Sequence, residues 1–89
     1  MSYSPQALIK YYFELWYWGH PYEFSAQDEE EFQDLLRNRK DWHFYCTDSK
    51  DFYRVRWFVI WLKHARGHEF NIMLQQPFYG ITVVLVELV

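Results

Sequence analysis

The sequence has few of the residues that build redox, metal and phosphate sites. It contains one cysteine, Cys46, which rules out an intramolecular disulfide and a cysteine-rich zinc site. Its three glycines, Gly19, Gly67 and Gly80, are too far apart to form a glycine-rich phosphate loop. No carboxylate stands where burial would raise its pKa for acid catalysis. We therefore expect a chain that is not an enzyme and that binds no cofactor and no metal.

Long hydrophobic runs and a basic excess are also lacking. The longest apolar runs, Trp57–Leu62 and Ile81–Val86, are far shorter than the ~20 residues that span a bilayer. The first six residues carry neither the basic nor the apolar region of a signal peptide. We expect a cytoplasmic protein that contacts no membrane. The formal net charge of −3 argues against a dedicated nucleic-acid binder.

Aromatic residues are abundant: five Trp, eight Tyr and eight Phe among 89 residues. A chain of this length predicts a single domain over residues 1–89. Each ring can bury roughly 150–250 Å², so a core of this size is filled by a few of them. The surplus rings are expected on the surface, where Tyr and Trp often anchor protein–protein contacts.

Helical signals occupy the first half of the sequence. Ser4 and Pro5 are typical of a helix start, and the spacing of apolar residues predicts a helix over about 5–18. Ser25 can cap a second helix, and Asp28 stands where a capping-box side chain returns a bond. The second helix has only a narrow apolar stripe, which predicts that it lies on the outside of the fold.

Strand signals follow from residue 41. Trp42, Phe44 and Cys46 share one parity of an alternating segment, which predicts a half-buried strand with an inert, buried thiol. Residues 52–64 fit either a strand or a helix, and their β-branched and aromatic content favours a strand. Residues 69–76 and 81–89 are predicted as further strands.

These elements predict an α+β fold, in which two N-terminal helices pack on a four-stranded antiparallel sheet as a two-layer sandwich. The segment 81–89 is apolar on both parities, which favours a position inside the sheet. The alternative is a homodimer that covers this strand.

An acidic and aromatic surface is the first candidate site. A negative patch with exposed rings can dock on a basic partner, because complementary charge speeds encounter. This predicts a small interaction module of inhibitor or accessory type, as phages and plasmids encode, that occludes a basic or nucleic-acid-associated protein. The residues assigned to it are Asp28, Glu30, Glu31, Asp34, Trp18 and Tyr22.

Two other hypotheses belong to different functional classes. Arg54 and Arg56 would project from the same strand face, where Trp42 and Tyr53 could stack on a single-stranded nucleic acid. Alternatively, a pocket between helix and sheet would make the chain a small ligand-binding protein or an enzyme.

Overall fold

The computed structural model describes residues 4–19 and 24–88. These residues form three helices and three strands: α1 (Pro5–Gly19), α2 (Ala26–Asn38), β1 (Asp41–Cys46), α3 (Ser49–Arg66), β2 (Phe70–Phe78) and β3 (Ile81–Leu88). The chain divides into two compact units, unit 1 over residues 1–40 and unit 2 over residues 41–89. That division does not test the single domain predicted over 1–89, which stays a prediction.

Unit 1 contains α1 and α2, and both helices begin as the sequence predicts. The Ala7 amide donates to Ser4 Oγ over 3.2 Å at the start of α1. At α2 the capping box is complete: the Asp28 amide donates to Ser25 Oγ at 3.1 Å, and the Ser25 amide donates to Asp28 Oδ2 at 3.2 Å. Local hydrogen bonds thus set both helix starts.

The core of unit 1 is aromatic. The rings of Tyr12, Phe24 and Phe32 pack around one another with centroids 5.1–5.7 Å apart. Leu35 and Leu36 are buried with them, so the narrow apolar stripe of α2 is entirely inside. Most of the polar side chains of α2 are exposed, as its sequence predicts.

Unit 2 contains an antiparallel sheet with strand order β1-β3-β2. β1 is the predicted strand, with Trp42, Phe44 and Cys46 on its buried parity. β3 is the central strand, which confirms the predicted interior position. Both of its edges are paired, so β3 has no free edge at which a second copy could add.

The prediction of a strand over residues 52–64 is wrong, because this segment belongs to α3. The Asp48 side chain caps the helix by accepting from the Asp51 amide at 2.9 Å, and Gly67 ends it in the left-handed region with φ 73°. Those end signals outweigh the β-branched content, since strand propensity depends on context. The sheet of the described residues therefore has three strands instead of the predicted four, and residues 4–19 and 24–88 form three helices instead of two.

α3 packs against β1 and β2 on one face of the sheet. The rings of Phe44 and Phe58 meet edge to face with centroids 6.1 Å apart. Val84 and Val86 of β3 are fully buried on this covered face. The alternate residues of β3 point to the other face, which α3 does not cover.

None of the three described helices is long and apolar enough to cross a membrane. The predicted cytoplasmic location stays a prediction.

Candidate functional site

The acidic side of α2 is the first predicted surface, and its carboxylates differ in their local roles. Glu30, Glu31 and Asp34 are exposed, whereas Asp28 is half-buried and serves in the capping box. Asp34 forms an ion pair with Arg37 one turn later. Asp28 and Asp34 are thus engaged in stabilising the helix itself, whereas Glu30 and Glu31 serve in neither the cap nor this ion pair.

A hydrogen bond ties this acidic side to α1. Tyr12 Oη donates to Glu31 Oε1 at 2.8 Å. Burial raises the pKa of Tyr12 above its ordinary value, and the hydrogen bond and charge of Glu31 raise it further. The protonated hydroxyl of Tyr12 thus links α1 to the Glu31 carboxylate of α2.

Exposed rings lie on α1 of the same unit. Trp18 is 68% exposed, and its Nε1 donates to Glu14 Oε2 at 3.0 Å. Tyr17 packs edge to face on Trp18 with ring centroids 4.7 Å apart, and Tyr11 is also exposed. Tyr22, the other ring assigned to this surface, lies outside the described residues. Unit 1 thus has exposed aromatic and exposed acidic side chains.

The residues assigned to nucleic-acid binding do not share one surface. Trp42 is buried at 1% exposure and cannot stack on a base. Arg54 and Arg56 would share a face only on a strand; on α3 their spacing of two residues turns them to different sides. Arg54 is half-buried and donates to Asp51 Oδ1 at 3.4 Å, while Arg56 and Tyr53 are exposed.

α3 instead presents a cationic and aromatic row that the strand interpretation missed. Tyr53, Arg56, Trp57 and Ile60 are all exposed and are spaced three or four residues apart, which places them on one side of the helix. Apolar residues on both parities indicated a central strand. On a helix the same residues lie on all sides, so some of them remain on its exposed outer side.

A second surface missed by the sequence analysis lies on the sheet face away from α3 and at the β2–β3 turn. Strand register places Phe78 opposite Ile81 and Leu74 opposite Leu85, on the face away from α3. Tyr45 lies opposite Val83 on the same face. We call the exposed apolar residues of this region the hairpin patch; its members are Tyr45, Leu74, Phe78, Tyr79 and Ile81.

Cys46 is buried as predicted. Burial raises the pKa of its thiol to about 11, and the nearby charges of Asp51 and Asp48 add to that effect. The thiol is therefore protonated at neutral pH and is a poor nucleophile. Among residues 4–19 and 24–88, no three His, Cys, Asp or Glu side chains cluster so that they could hold a metal ion.

The comparisons with known proteins find no relative: no family model, curated protein or solved structure matches the chain.

Proposed function

We propose that the chain is a small non-enzymatic interaction module, of inhibitor or accessory type, that acts by occluding a macromolecular partner. The observation that carries the proposal is the exposure of large apolar side chains. Twelve of them, eight aromatic, are exposed in the part of the chain that the structure describes. Aromatic anchors of this kind supply much of the binding energy in protein interfaces.

Charge suggests the kind of partner for unit 1. α2 carries five carboxylates against one arginine, and its large apolar side chains Phe32, Leu35 and Leu36 are buried, so its outer side offers mainly negative charge. The exposed Tyr11, Tyr17 and Trp18 of α1 provide apolar anchors in the same unit. We propose that this surface binds a basic protein, for example one that itself binds nucleic acid, because acidic side chains steer and orient such a partner.

The test is a single charge reversal with a matched control. Glu30→Lys is the informative variant, because Glu30 is exposed and, unlike Asp28 and Asp34, is neither a cap nor the partner of Arg37. Glu69→Lys changes the net charge equally at another exposed site in unit 2. With the partner captured from the native host, Glu30→Lys should slow association at least several-fold, while Glu69→Lys should change it little. Equal rates for the two variants would contradict the acidic surface.

A second candidate is binding of a single-stranded nucleic acid through α3. The observation that favours it is the row of Tyr53, Arg56 and Trp57 on one side of a helix whose charged residues are five basic and one acidic. Trp57 here takes the stacking role that the sequence analysis assigned to Trp42. Arg56→Ala should weaken oligonucleotide binding and flatten its dependence on salt, whereas Arg54→Ala should do less because Arg54 is paired with Asp51. The absence of binding at low salt would exclude this candidate.

A further inference from the structure

The hairpin patch is large for a surface that would remain in water. Its five residues are between 36% (Ile81) and 91% (Tyr79) exposed. With about 200 Å² for a whole side chain of this kind, the patch exposes roughly 600 Å². That equals the upper end of the largest apolar patch on a typical monomer, about 300–600 Å². It is also most of the ~800 Å² that each partner contributes to a standard interface.

The turn at the tip of the hairpin is a second observation that points to binding. Tyr79 has φ 49° and Gly80 has φ 79°, so both are in the left-handed region. Asn, Asp and Gly suit such turn positions, while a bulky residue is strained there. The strained residue is also the most exposed of the large apolar side chains, and its ring packs edge to face on Phe78 with centroids 4.6 Å apart. The turn thus holds two adjacent rings outward at a cost in backbone conformation.

The chemistry of the patch decides what covers it. None of the five side chains is charged, so the patch does not select an acidic or a basic partner. β2 is an edge strand, but its register shifts between Ile72 and Leu74 and it contains Pro77, and both features disfavour the addition of another strand. Docking by side chains on the sheet face is therefore favoured over pairing at the edge.

We propose that the hairpin patch docks on the hairpin patch of a second copy of this chain and forms a twofold dimer. An uncharged apolar patch is complementary to itself, and a twofold axis buries both copies in one closed contact. The roughly 600 Å² on each copy is below the ~800 Å² of a standard interface, so we expect a weak dimer with a dissociation constant on the order of micromolar. This inference goes beyond the proposed function, because it uses residues of unit 2 and requires no other protein.

The first experiment compares two matched substitutions in the full chain. Phe78 and Trp57 are 61% and 63% exposed, but only Phe78 lies in the hairpin patch, since Trp57 is on the outer side of α3. Sedimentation equilibrium from low micromolar to submillimolar concentration should show a monomer–dimer equilibrium for the parent. Phe78→Arg should raise the dissociation constant at least about tenfold, because it places a charge at the contact. Trp57→Arg should leave the equilibrium as it is in the parent.

A second variant guards against misfolding as the explanation. Tyr79→Asn replaces the strained residue with one that suits the turn, so its melting temperature, measured in dilute solution, should equal or exceed that of the parent. Its dimer should nevertheless be weaker, since the most exposed ring is gone. A structural defect would lower the melting temperature and the affinity of the dimer together.

Three results would overturn the proposal: a parent that is monomeric throughout the concentration range, equal dissociation by Phe78→Arg and Trp57→Arg, or a Tyr79→Asn variant that dimerises like the parent. A monomeric parent whose hairpin patch binds a different protein would count against the second copy. A dimer that persists while Glu30→Lys fails to slow association would sustain this inference and reject the acidic surface of unit 1.

Discussion

Two helices of this chain differ in how their apolar residues are distributed. α2 confines Phe32, Leu35 and Leu36 to one side, and all three are buried. α3 has apolar residues around its whole circumference, so it buries an inner side with Phe58 and exposes an outer side with Trp57. A helix whose large apolar residues all lie on one side buries them when the chain folds. A helix with apolar residues on every side keeps some of them exposed, and these can contact a partner.

The largest effect should separate the two sides of α3. Phe58→Ala removes a fully buried ring and should cost about 3–5 kcal/mol of unfolding free energy. Trp57→Ala removes the neighbouring ring from an exposed position and should cost less than about 1 kcal/mol. Urea unfolding followed by circular dichroism measures both values. Similar losses of unfolding free energy would mean that Trp57 is part of a core, and the contrast between the two sides of α3 would be wrong.

An intermediate effect concerns the caps that begin α2 and α3. Ser25→Ala and Asp48→Ala each remove a side-chain acceptor from the first turn and should cost about 0.5–2 kcal/mol. Ser49→Ala, one residue after the Asp48 cap, is the control and should cost less. Amide hydrogen exchange gives a local reading, since the Asp51 amide donates to Asp48 and should exchange faster in Asp48→Ala alone. Equal protection of the Asp51 amide in Asp48→Ala and Ser49→Ala would show that Asp48 does not stabilise the start of α3.

The smallest effect is a dependence of stability on acid at the start of α3. Hydrogen bonds from the backbone and hydroxyl of Thr47, at 3.0 and 2.8 Å, lower the pKa of Asp51 below its ordinary value. A carboxyl whose pKa is lower in the folded state stabilises the fold above its unfolded pKa of about 3.9. That contribution is lost as the pH falls from there through the lowered value.

Asp51→Asn should therefore remove part of the acid sensitivity of the parent. Thermal melts between about pH 6 and pH 2 should show a shallower decline for Asp51→Asn than for the parent. Glu30→Gln removes one exposed carboxylate from α2 and serves as the control. A decline for Asp51→Asn as steep as that of the parent would place the acid sensitivity elsewhere.

Local sequence signals predicted the structure correctly where no other signal competed with them. Ser4, Ser25 and Asp28 marked the two helix starts, and the alternation of Trp42, Phe44 and Cys46 marked β1. The strand predicted over 52–64 is wrong, because side-chain type favours a strand there while the residues at the ends of the segment favour a helix. The structure places the caps of α3 at Asp48 and Gly67, and caps report helix ends more directly than propensity does.

The candidate surfaces were predicted less well than the fold, and for the same reason. Arg54 and Arg56 were grouped on the assumption of a strand, in which residues two apart share a face. Trp42 lies on the buried parity of β1 and is a core residue, whereas Trp57 is exposed on α3. Once α3 is a helix, the exposed row of Tyr53, Arg56 and Trp57 follows from spacing alone.

Composition and local spacing are enough to show that this chain has more aromatic side chains than a core of its size can hold, and that two capped helices precede a half that contains the strands. Those properties follow from composition and from hydrogen bonds between residues three or four apart. Only the tertiary structure decided that β3 lies between β1 and β2, that α3 covers one sheet face, and that Phe78 and Tyr79 stay exposed. These outcomes depend on contacts between distant segments, in which burial of one face by a neighbour determines which rings are left for a partner.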